Sequence, residues 1–112
     1  MAEGAQRSLL IVITGPVGGG KSTTALCLGD HLRAVGCRVA VVDLDRVAEM
    51  VGWHSPCGPT DPWHTARPIC GALADALFRQ GHDVVIVEGE FYTAGELAAL
   101  RNLVTIPVHV QL

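Results

Sequence analysis

Apolar residues gather in four short runs: Leu9-Leu10-Ile11-Val12-Ile13, Val39-Ala40-Val41-Val42, Val84-Val85-Ile86-Val87, and the stretch from Val104 to Leu112. The first three runs do not alternate with polar residues, so they read as strands buried on both faces, as parallel strands are. Between the first two, Ala25, Leu28, Leu32 and Val35 recur at steps of three and four, predicting a helix from about Lys21 to Val35 with Gly36 as its stop. A short helical turn is expected over Val47 to Val51, then an irregular excursion from Gly52 to Pro62, where a substrate flap would lie. Pro68 suits the first turn of a helix whose apolar face is Ile69, Leu73, Ala76 and Leu77 and which Gly81 ends; a start nearer Asp61-Pro62 fits the same pattern. Thr93-Ala94-Gly95-Glu96 has capping-box spacing and opens a last helix through Leu97 and Leu100. Pro107 sets the fourth strand at an edge or on a bulge. The alternation of strands and helices predicts an α/β fold: a three-layer sandwich with about four mostly parallel strands, right-handed crossovers and helices on both faces.

Composition narrows the setting. At 112 residues the chain reads as one domain, and 49% apolar content is enough for a packed core. No apolar run approaches the ~20 residues that cross a bilayer, and no secretory h-region precedes the first strand, so the expected setting is the cytoplasm with no membrane partner. A net charge of −3 without basic clusters gives a nucleic-acid partner no electrostatic support. Cys27, Cys37, Cys57 and Cys70 are irregularly spaced and read as reduced thiols. The intervals among His54, Cys57, His64 and Cys70 match no zinc framework.

The strongest signal follows the first apolar run. Gly15-Pro16-Val17-Gly18-Gly19-Gly20-Lys21-Ser22 satisfies G-x-x-x-x-G-K-[ST] at every fixed position. Glycines let backbone N–H groups turn inward around a polyphosphate, and the helix that follows presents its unpaired amides to the same anion. The candidate cradle for a nucleoside triphosphate is therefore Gly15, Val17, Gly18, Gly19 and Gly20 with Lys21, Ser22 and Thr23. Lys21 would reach the β- and γ-phosphates and is a candidate catalytic residue, while the Ser22 hydroxyl would sit on Mg²⁺.

In an open α/β sheet, ligands collect at the C-terminal ends of the strands. Asp43 and Asp45 stand there after the second strand, and Glu88 and Glu90 after the third. A carboxylate in that position holds Mg²⁺ or accepts a proton from an attacking hydroxyl, and Asp43 or Asp45 could equally cap a short helix.

From Leu9 to Leu112 these residues resemble the P-loop small-molecule and nucleotide kinases, a group that includes the shikimate, adenylylsulfate and uridine kinases and the antibiotic phosphotransferases. Asp43-Leu44-Asp45 is similar to the D-x-D that ends the second strand of shikimate and adenylylsulfate kinases, and Val85-Ile86-Val87-Glu88-Gly89 to the V-I-x-E-G of uridine kinases. The resemblance implies Asp45 as catalytic base or substrate contact, Asp43 and Glu88 with Ser22 around Mg²⁺, ATP as co-substrate, and a small-molecule hydroxyl as acceptor. It also implies a substrate-binding role for Arg67, 22 residues after Asp45. The glycine triplet that shikimate kinases carry after the third strand is absent, and Gly89 alone stands there. A second resemblance, from Lys21-Ser22-Thr23-Thr24 to Asp45, is to the ParA/MinD-type ATPases, whose early loop lysine is replaced here by Pro16; it implies a nucleotide-binding module that acts through association. The D-x-x-G and N-K-x-D signatures of GTPases do not occur. Kinases of this group add lid arginines and a fifth strand, so residues 1–112 are expected to form one nucleotide-binding domain truncated at its C-terminus. The final strand would then be an open edge for pairing with a second copy.

Overall fold

The computed structural model describes residues 8–15, 20–53, 55–58 and 60–111. Its elements follow the predicted alternation: β1 (Ser8–Thr14), α1 (Lys21–Ala34), β2 (Val39–Asp43), α2 (Leu44–Met50), α3 (Pro62–Arg79), β3 (Val84–Gly89), α4 (Ala94–Arg101) and β4 (Val108–Gln111). The strands form one sheet in the order β2-β3-β1-β4, with every pairing parallel.

Side chains alternate across the strands and so divide between two cores. Val39, Val84 and Ile86 face α1 and pack on Ala25, with Leu9, Ile11, Ile13, Leu28 and Leu32 at the margin. Leu10, Val12, Val42, Val85 and Val87 face the other way, against Val47 and Ala48 of α2, Ala66, Cys70, Ala74 and Phe78 of α3, and Leu100 of α4. Helices therefore cover both faces, α1 on one and α2 to α4 on the other. All six residues of β3 are buried, as the unbroken apolar run requires.

The departures from the predicted elements have local causes. Asp43 caps α2, its side chain accepting from the Asp45 N–H at 2.9 Å, so that helix begins at Leu44 rather than Val47. Pro62 occupies the first turn of α3 after the Asp61 cap, which leaves Pro68 inside the helix. The fully buried face of α3 is Ala66, Cys70, Ala74 and Phe78, not Ile69, Leu73, Ala76 and Leu77; Leu73 is 38% exposed. Small residues win because α3 and α4 nearly touch: a Cβ on Gly71 would stand 2.1 Å from the Leu100 carbonyl oxygen. Val35 lies past the end of α1 and is exposed.

The fourth strand starts at Val108, four residues later than the apolar run suggests. Asp75 captures the Thr105 N–H at 2.8 Å, the Val104 N–H turns back to the Arg101 carbonyl, and Pro107 has no N–H to give. β4 is an edge strand, paired with β1 alone in the sheet order. Among the described residues no helix is long and apolar enough to cross a membrane.

Candidate nucleotide site

The site grows out of the end of β1. Pro16, Val17, Gly18 and Gly19, the middle of the predicted cradle, lie outside the described residues. Gly20 leaves the loop at φ 81°, a conformation that favours glycine, and caps α1 without a side-chain hydrogen bond. The helix ladder begins with the Thr24 N–H donating to the Gly20 carbonyl at 2.9 Å. No acidic side chain stands in the first turn. The leading amides of α1 thus keep their positive end for an external anion. The stem of Lys21 folds back toward Gly15, where an added Cβ would meet its Cγ at 3.6 Å.

Parallel pairing brings the acidic residues to this point. Glu88 is in register with Ile13 of β1 on one side and Asp43 of β2 on the other. The alternation along β3 sends Glu88 to the α1 face, where the Ser22 hydroxyl donates to its Oε2 at 2.6 Å. Glu88 is only 4% exposed. Burial pushes its carboxyl above the ordinary range, the Asp43 carboxylate alongside pushes the same way, and the Ser22 hydrogen bond and the Lys21 charge pull it back. Two crowded carboxylates with a hydroxyl between helix and sheet make a hard, oxygen-only donor set. That chemistry fits Mg²⁺, which binds proteins through one or two carboxylates and completes its shell with phosphate and water. Among the described residues no group of three or more histidine, cysteine, aspartate or glutamate side chains could hold a metal alone. Cys70, from the rejected zinc spacing, is a buried core thiol raised to about 12, chiefly by desolvation.

Asp45 stands in the first turn of α2. Its Oδ1 accepts the indole N–H of Trp63 at 3.0 Å, and Trp63 packs edge-on against Trp53 with ring centroids 4.7 Å apart. Nothing in the sequence pairs Asp45 with Trp63; the contact needs α2 and α3 packed together. Arg67 lies one turn further along α3 and is bound by protein groups. Its Nε donates to the Glu90 carbonyl at 3.0 Å, its Nη1 pairs with Glu96 at 3.4 Å, and the guanidinium stands 6.0 Å from the Phe91 ring centre. Glu96 also completes the predicted capping box with Thr93, so Arg67 fastens α3 to the start of α4. Thr14, at the mouth of β1, accepts the Phe91 N–H at 3.2 Å and ties the same segment to the loop. The structure thus gathers Ser22, Asp43 and Glu88 into one cluster, with Asp45 and Arg67 held by separate partners.

Two solved structures share this fold. The crystal structure of APE1195 superposes with a TM-score of 0.69 at 24% identity over 94% of the chain, and that of a mutant of the Mycobacterium tuberculosis APS kinase CysC with 0.58 at 18% over 94%. The chain has the fold of these P-loop proteins, and Gly15 to Ser22 fit the P-loop sequence. It spans 59% of the length of APE1195 and 73% of the APS kinase chain. A family described as the methylmalonyl Co-A mutase-associated GTPase MeaB matches residues 1–54, the part that carries this loop, α1 and the D-x-D segment. A comparison with curated protein sequences gives no match.

Proposed function

We propose that the chain binds ATP with Mg²⁺ in the cytoplasm and transfers the γ-phosphoryl group to the hydroxyl of a small molecule placed beside Asp45. The observation that carries this reading is the Ser22–Glu88 hydrogen bond at 2.6 Å beside Asp43, at the end of adjacent strands and against the phosphate loop. Loop amides and the N-terminus of α1 hold the phosphates, and Lys21 balances charge on the β- and γ-phosphates. Ser22, Asp43 and Glu88 would hold Mg²⁺, which when bound neutralises phosphate charge and relieves the repulsion between the two carboxylates. Asp45 receives the acceptor's proton as the hydroxyl attacks phosphorus, and Arg67 holds the acceptor side through its grip on Glu90 and Glu96.

Acceptor-dependent ADP formation tests the reading. Asp45→Asn should lower kcat by about 100-fold or more and leave MgATP affinity intact, because a general base contributes on the order of 10²–10⁴. Equal loss of both would make Asp45 a metal ligand instead.

The MeaB match over residues 1–54 favours a second reading, a nucleotide-binding module that takes GTP or ATP and acts through association. Tight nucleotide binding, no acceptor-stimulated turnover and an oligomeric state that follows the nucleotide would support it. The open edge of β4 is the surface at which two copies would meet.

A further inference from the structure

We infer that Trp63 is the positioning residue for Asp45: its indole N–H fixes the carboxylate so that the second oxygen keeps one direction toward the acceptor. The inference deepens the phosphotransferase reading and rests on it. An indole has a single hydrogen-bond donor, and here it is given to Asp45 Oδ1 at 3.0 Å from 18 residues away. A hydrogen bond from a neutral donor to a carboxylate is charge-assisted, and pinning Oδ1 removes the freedom of the group to turn about its terminal bond.

Both ends of the contact are built into stiff elements. Asp45 is the second residue of α2, and its N–H donates to the capping Asp43 side chain at 2.9 Å. Trp63 stands in the first turn of α3, between buried Pro62 and His64, whose N–H is capped by Asp61 at 3.2 Å. The backbone N–H of Trp53 donates to the Ala48 carbonyl of α2, and its ring meets Trp63 at 66°. The Trp53 ring thus packs against the same indole that donates to Asp45. A helix latch alone would need only the packing of the two rings; the aimed N–H serves the carboxylate. Catalytic groups gain rate when neighbours hold them within a few tenths of an ångström of their working place.

The test uses the intact chain and MgATP with water as acceptor, followed as inorganic phosphate. The chain has two tryptophans, so in a Trp53→Phe background the one remaining indole N–H resonance belongs to Trp63. That resonance should move upfield when Asp45→Asn is added. Trp63→Phe, which keeps an aromatic ring and removes the donor, should lower kcat about tenfold, as expected of a lost orienting contact, with KM for MgATP within about twofold. An indole resonance indifferent to Asp45→Asn would overturn the inference. So would a Trp63→Phe chain that melts earlier and keeps its kcat, the behaviour of a plain latch. If instead Asp45→Asn itself leaves kcat unchanged, the base assignment falls, and the role of Trp63 falls with it by a separately visible route.

Discussion

Glu88 shows how one residue serves a site at the expense of the free chain. Its carboxyl is held above the ordinary carboxylate range, first by burial and then by Asp43. A raised folded value means that the native state holds this proton more tightly than the unfolded chain. Stability from this group is therefore fully present below its unfolded value and is lost as pH rises through the folded value. Glu88→Gln should raise the thermal midpoint of the nucleotide-free protein above pH 7 by a few degrees, the shift of about 1 kcal/mol in a domain of this size. It should also abolish the gain in ATP affinity that Mg²⁺ provides, read by titration with and without EDTA. The carboxylate at the end of an apolar run was legible from sequence, because a charge there is costly without a partner. The partners of Asp45 and Arg67 were not. Each depends on a neighbour 18 or more residues away, Trp63 in one case and Glu90 and Glu96 in the other.

Among the elements, local signals predicted types well and faces less well. The end of β1 and the start of α1 on either side of the loop sequence, and the capping box of α4, stand where the sequence places them, since strand and cap chemistry act over a few residues. The buried face of α3 was misread because size, not hydropathy, decides which side fits under α4 at Gly71. The start of β4 was misread because a side chain on α3 takes its backbone. Asp75 receives the N–H and Oγ1–H of Thr105 at 2.8 and 2.7 Å and the Arg79 Nε–H at 2.9 Å, and Arg79 Nη2 also reaches Thr105 Oγ1. These donors lower the Asp75 carboxyl from 3.8 to about 2, with the backbone bond from Thr105 the largest cause. A depressed value gives stability above the ordinary carboxylate pKa, lost as pH falls through the folded one. The Thr105 amide should stay protected from hydrogen exchange at pH 5 and lose protection between about pH 4 and 2, and Asp75→Ala, which leaves no acceptor, should remove the protection at every pH.

Taken whole, the molecule is a sheet whose order puts β3 directly beside β1, so that the phosphate loop and the Glu88 carboxylate meet without an intervening strand. β2 stands on the other side of β3 and delivers Asp43 to the same mouth. α1, opened by the loop, covers this face of the sheet. The separation of the two faces leaves α2 and α3 to carry Asp45, Trp63 and Arg67 on the opposite side, where an acceptor would approach the end of β2. On this reading, Gly15 to Ser22 bind the phosphates of a nucleotide. Calorimetric titration of the chain with MgATP and MgGTP, with Lys21→Ala alongside, tests it most directly. Binding should be saturable and weaken about 100-fold in Lys21→Ala, or roughly 3 kcal/mol, as loss of a charged phosphate contact requires. Equal affinity in the two proteins, or no binding of either nucleotide by the intact chain, would contradict it.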